Sequence, residues 1–155
     1  MNKFTVLGCG SSLGVPRIDG FFGKCDPSNI KNHRTRCCAH IKFENLNILI
    51  DTSPDLRFQL LKNKINNINY VFYTHAHADQ THGINDLRTF YIKNKKKLDV
   101  FADKYTKKQL ISTFGYCFKS YKGYPAILNM NNLKKKYIFK SKNKKLTIET
   151  IMTQH

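Results

Sequence analysis

YVFYTHAHADQTHGINDLR, residues 70–88, changes character halfway along. Tyr70, Val71, Phe72 and Tyr73 form an aromatic and β-branched run of the kind that makes a buried strand. The run ends in metal-competent side chains, His75, His77, Asp79, Gln80 and His82, followed by Gly83 and an amphipathic helical pattern. The reading is a strand that delivers ligands to a loop. Residues 75, 77 and 79 alternate, so an extended loop directs all three side chains the same way, and two imidazoles with a carboxylate suit a zinc-like ion. A polar loop with scattered histidines is the plain alternative. Three histidines and an aspartate within eight positions at a strand end argue against it.

Upstream, Ala39–Phe43 and Asn47–Asp51 (NILID) form the pattern of a two-stranded hairpin, the second strand apolar until Asp51. A carboxylate at the end of a buried strand is costly unless paired. It serves either as a turn or capping aspartate or as the group that orients a ligand histidine from behind. Ser53-Pro54-Asp55 predicts a helix start, with a hydroxyl cap and proline at the first position, and Leu56, Leu60 and Leu61 are expected on its buried face. Lys3–Gly8 reads as the opening strand. The loop GCGSSLGVP (8–16) then lets backbone approach a ligand, with Gly10, Ser11 and Ser12 as candidate substrate contacts. It lacks the Gly-Lys-Ser/Thr of a P-loop and the glycine spacing of a dinucleotide fingerprint. Arg17–Arg36 is irregular. Cys25, His33, Cys37 and Cys38 do not make a convincing structural zinc site, because adjacent cysteines on a strand face opposite ways and no CxxC pair is present.

Downstream, Ile84, Leu87, Phe90 and Tyr91 mark the apolar side of a second helix. Leu98–Ala102 reads as a strand and Lys104–Phe118 as a third helix, with Leu110, Ile111, Phe114 and Phe118 inward. Tyr121–Asn132 has the glycine and proline chemistry of a surface excursion. A final hairpin pairs Tyr137–Ser141 with Leu146–Thr153, and His155 stands just beyond a strand end as His75 does.

At 155 residues the chain predicts one domain with one core. Its 27 basic against 10 acidic residues, a net +17, favour phosphate-bearing partners, although lysine runs in loops are also an ordinary solvated surface. Five cysteines without a disulfide framework predict a reducing, cytoplasmic compartment. No run approaches the roughly 18 apolar residues of a membrane span.

Thr74–Gln80 resembles the metal motif of the metallo-β-lactamase superfamily, whose usual form is His-x-His-x-Asp-His, and the alternating strands and helices resemble its αββα sandwich. The opening strand with GCGSSLGVP, the segment CDPSNIKNHRTRC and LIDTSPDLR resemble the branch holding the carbon–phosphorus lyase accessory phosphodiesterase and, more distantly, the tRNA 3′-end endonucleases. The resemblance implies an α/β metal-dependent hydrolase with two zinc sites, manganese or iron being alternatives. His75, His77 and His155 would hold the first metal, and Asp79 and Gln80 the second. Asp51 would buttress the loop, with His82 as a substitute ligand. Asp79 and His77 are the implied catalytic residues, and a metal-held hydroxide the nucleophile. The implied substrate is a small anionic phosphodiester, or RNA, handled without a membrane, and a homodimer is expected. Gln80 departs from the motif's histidine, an amide oxygen being a weaker zinc ligand than imidazole. The accessory phosphodiesterase's cysteine-rich zinc clasp is not reproduced, Cys25 standing alone. The family carries a bridging carboxylate and a closing histidine beyond the third-histidine position, so residues 1–155 resemble the N-terminal two-thirds of a domain, implied to be inactive alone. The rival expectations are a basic RNA-binding or RNA-processing protein and a metal-binding relative without activity.

Overall fold

In the computed structural model, which describes residues 2–141 and 144–153, six strands form one sheet in the order β1-β2-β3-β4-β5-β6. These are β1 (Lys3–Gly8), β2 (Cys38–Phe43), β3 (Leu46–Ile50), β4 (Tyr70–Phe72), β5 (Leu98–Ala102) and β6 (Leu128–Asn132). The first three run antiparallel through the expected hairpin, and β3 to β6 run parallel. Parallel strands need crossovers, which the helices supply. They are α1 (Leu56–Lys62), α2 (Ala78–Thr81), α3 (Arg88–Asn94), α4 (Lys104–Thr113) and α5 (Gly115–Phe118), with a 3-10 turn at Ile84–Leu87 leading into α3.

The helices cover one face of the sheet. Leu49, Val71 and Val100 are fully buried there against Leu56, Ile84, Leu87 and Leu110. Each such side chain contributes about 1.5–3 kcal/mol by leaving water. The other face takes a separate hairpin, β7 (Lys136–Ser141) and β8 (Lys144–Glu149). Its Phe139 ring lies 5.3 Å from Tyr70, and Tyr137 lies 4.8 Å from Phe72 and 5.2 Å from Phe101. An αββ layering results, three of the four layers of the αββα sandwich that the resemblance implies. The register places Phe4 on the same face as Ile41, Ile48 and Tyr70, but Phe4 and Val6 are 63% and 58% exposed, so β7 and β8 cover only the middle of that face.

Four local expectations are corrected. Helix α1 begins at Leu56, not at Pro54. Ser53 Oγ accepts from Asp55 N at 3.0 Å, and the Asp55 carboxylate is engaged by Arg36 through its backbone N–H at 2.9 Å and its guanidinium at 2.9 and 2.6 Å. At 100° per residue, Leu56, Gln59 and Leu60 share the buried side while Leu61 rotates out and is 64% exposed. The third helix breaks at Phe114 (φ −120°, ψ 36°) and resumes at Gly115. Within the expected surface excursion, Leu128–Asn132 is the sixth strand, entered through buried Ala126 and Ile127. Among the described residues no helix is long and apolar enough to cross a membrane.

Candidate metal centre

Strand β4 ends at Phe72, no regular element intervenes before α2 begins at Ala78, and His77 at that start is extended (φ −66°, ψ 153°). His75 and His77 therefore emerge on one side, and their rings meet edge to face, with centroids 4.7 Å apart and His75 Nε2 3.1 Å from His77 Nδ1. The expected alternation stops there. Asp79 lies on the first turn of α2 rather than in an extended loop, so the period of two no longer governs its direction.

Behind the histidines, the turn 51–53 clamps the loop. Asp51 is buried with φ 64°, a left-handed conformation that aspartate tolerates better than most residues. Its Oδ1 accepts from Thr74 N and its Oδ2 from Thr74 Oγ1, both at 2.7 Å. Thr74 Oγ1 is in turn 3.0 Å from His75 Nδ1. When Asp51 is ionised it can only accept, so the threonine proton then goes to Asp51 and the hydroxyl oxygen accepts from His75 Nδ1–H. That assignment leaves the lone pair of His75 on Nε2, the atom that faces His77. Asp51 thus reaches His75 through Thr74. Thr74 itself was missed, although its place beside His75 was the available signal.

Two neighbours tighten the clamp. Thr52 N donates to Gln80 O at 2.7 Å, and Gly83 N donates to Thr52 O at 2.9 Å. A Cβ at Gly83 would stand 2.1 Å from Ser53 O, so only glycine permits this approach. Burial pushes the Asp51 carboxyl up to about 7, with the charge of Asp79 adding to the rise and the Thr74 hydrogen bonds opposing it.

Gln80 is buried. Its Nε2 donates to Asp79 Oδ2 at 3.1 Å, and its Oε1 has no hydrogen-bond partner among the described residues. An orphaned buried acceptor costs about 1–3 kcal/mol and calls for a donor or a cation. His82 is exposed and turned toward the other end of α4, with its ring edge-on to Phe114 at 5.3 Å and Nδ1 3.2 Å from Thr81 Oγ1. Among the described residues no three histidine, cysteine, aspartate or glutamate side chains already surround one point. His155 lies outside the described residues. The chemistry of the set, two imidazoles in contact, a carboxylate on the first turn of α2 and an orphaned amide oxygen beside it, nevertheless fits a divalent cation.

A cleft of about 770 Å³ opens at the histidines, lined also by Thr74, Tyr105, Gln109 and Glu149. Gly10, Ser11 and Ser12 do not line it. Gly10 is buried, its N–H donating to Thr35 O at 2.7 Å, while Ser11 and Ser12 are exposed. Burial raises the thiols of Cys38 and Cys117 to about 12 and about 11, which makes them packing groups rather than nucleophiles.

Residues 46–155 match the sequence model of a family described as the β-lactamase superfamily domain. An octanoyltransferase from Porphyromonas gingivalis is 32% identical over 153 residues, which is 97% of this chain and 30% of that protein. A solved diphosphatase from the PhnP family has a TM-score of 0.72 at 29% identity, over 91% of this chain and 54% of its own. Zn²⁺-bound PqqB from Methylobacterium extorquens has a TM-score of 0.63 at 16% identity, over 90% of this chain and 48% of its own, a likeness of fold. The chain spans about half the length of these solved structures and under a third of the octanoyltransferase.

Proposed function

The chain belongs to the β-lactamase superfamily, with the metallo-β-lactamase fold and a resemblance to its PhnP branch, and from that premise we propose a metal-dependent phosphodiesterase. The observation that carries the metal reading is the relay from Asp51 through Thr74 to His75, beside the orphaned Gln80 oxygen. Such a relay fixes an imidazole tautomer, which is what a ligand histidine requires. The phosphodiester is supported by the +17 balance and by the diphosphatase among the relatives.

In this proposal His75 and His77 hold one cation, with His155 as the third ligand, and Asp79 and Gln80 hold a second. Zinc is the first expectation. Once bound, the ions supply Lewis acidity and a water activated near neutral pH. Asp51 and Thr74 keep His75 Nε2 presented, Asp79 handles the proton, and the cleft walls exclude bulk water. The site works in the reducing cytoplasm, and the activity is that of the whole protein.

Gln80 makes the two cation positions unequal, because a neutral amide oxygen suits manganese better than zinc. Gln80→His should tighten the second metal by about tenfold or more, whereas Gln80→Ala should reduce turnover less than His77→Ala. The check is metal titration alongside a substrate panel of bis-p-nitrophenyl phosphate, a p-nitrophenyl thioester and a chromogenic lactam. The diester should lead, and preference for the thioester or the lactam would contradict the reading.

A further inference from the structure

Cys9 directly follows β1, and Cys37 directly precedes β2. Gly8 pairs with Cys38 and Gly10 bridges to Arg36, so Cys9 and Cys37 are the two residues enclosed between those pairings, one on each segment. The backbones touch there. A Cβ at Gly8 would stand 2.1 Å from Arg36 O, and one at Gly10 would stand 2.5 Å from Arg34 O, so both neighbours of Cys9 lie directly on the segment that leads into Cys37. Facing strand positions hold their Cα atoms about 4.5–5.5 Å apart, and a disulfide spans about 4.4–6.8 Å. Cys38 packs into the core, so Cys37 turns the other way. Cys9 and Cys37 are both exposed thiols. Cys37 Sγ donates to Gly10 O at 3.4 Å, one residue from Cys9, and Arg34 Nη1 donates to Cys9 Sγ at 3.0 Å. Burial, with the charges of Asp79, Cys9 and Asp51 adding to it, holds the Cys37 thiol above its ordinary range, and the contribution of Cys9 marks the two sulfurs as neighbours.

We propose that Cys9 and Cys37 are a redox pair that closes a disulfide between the end of β1 and the start of β2. The oxidant is hydrogen peroxide. The Cys9 thiolate, beside the Arg34 cation, attacks one peroxide oxygen and becomes a sulfenic acid as the first water forms. The Cys37 sulfur then attacks the Cys9 sulfur, the S–S bond forms and the sulfenic oxygen leaves as the second water. Two thiols lose two electrons and two protons, and the peroxide takes up both. A small thiol reverses the step by exchange. The remaining cysteines do not compete on equal terms. Cys38 and Cys117 are buried, with thiols pushed up to about 12 and about 11, and Cys25, though exposed, is not among the groups whose charge reaches Cys37. Once closed, the bond ties the loop GCGSSLGVP to β2 and makes a ring of the irregular segment 10–36.

The test is oxidation of the full-length protein by a small excess of hydrogen peroxide, followed by non-reducing peptide mapping and a thiol count on the denatured product. The peptides carrying Cys9 and Cys37 should be recovered joined and lighter by two hydrogens. The count should fall by two thiols and be restored by dithiothreitol. The thermal midpoint of the oxidised protein should rise by about 5 °C or more, because the cross-link restricts the unfolded chain. Cys37→Ser should leave Cys9 as a sulfenic acid that dimedone traps, and Cys9→Ser should form no disulfide. Both positions are exposed, so serine at either should leave the circular dichroism unchanged. Cys25→Ser should oxidise as the unmodified protein does. Arg34→Gln removes the charge beside Cys9 and should slow closure about threefold or more. Thiols that all survive the peroxide, a cross-link that joins Cys25 in place of either residue, linkage only between separate molecules, or an oxidised protein that melts below the reduced one would overturn the proposal.

Discussion

Changing His75 and His77 together to alanine is expected to strip the purified full-length protein of metal, lowering affinity by more than about a hundredfold. Removing a partner behind a ligand costs about 10–100-fold in metal affinity, and here the two ligands of the proposed site are themselves lost. The two rings stand 3.1 Å apart at their nearest nitrogens, and in the proposed reading they are the pair that holds the first metal. Both histidines sit on the open side of the loop, so the double change should leave the fold intact. Elemental analysis against the unmodified protein checks this, with circular dichroism confirming the fold. Metal content unchanged by the double substitution would end the reading.

The second large effect belongs to Asp51. Asp51→Ala removes the acceptor of two 2.7 Å hydrogen bonds and leaves Thr74 N–H unsatisfied, which should cost about 1–3 kcal/mol. It also sets alanine at φ 64°. Metal affinity should fall about 10–100-fold as His75 loses its support. The pH dependence has a defined sign. Burial raises the folded-state pKa from 3.8 to about 7, so metal-free folded protein keeps a proton that the unfolded chain has released. The stabilising contribution is complete below about pH 4 and is lost as pH rises through about 7, on the order of 4 kcal/mol. Asp51→Asn keeps a side chain that tolerates the left-handed conformation and does not titrate. Urea unfolding of chelator-treated protein at pH 5 and pH 7.5 should show a clear fall in stability for the unmodified chain and a flatter response for Asp51→Asn. Parallel responses would place the burden on another group.

Much of the fold was legible because its strands announce themselves locally. Lys3–Gly8 and Leu98–Ala102 end where expected, each an apolar run closed by a turn or a helix cap. Leu128–Asn132 (LNMNN) escaped notice because asparagine is a poor strand former. Parallel pairing with β5 makes it a strand, and that partner lies some 30 residues upstream. The histidine pair was visible in the spacing, but the place of Asp79 was not. Helix α2 starts at Ala78 under long-range control, since Thr52 N reaches Gln80 O and fixes the turn from across the fold.

The most direct measurement is diester turnover by the full-length protein through one cycle of chelation and metal return. Hydrolysis of bis-p-nitrophenyl phosphate should disappear with the metal and return with added zinc or manganese, while His77→Ala should recover nothing at any metal concentration. A rate that survives chelation, or one that His77→Ala retains, would contradict a metal-dependent site at His75 and His77.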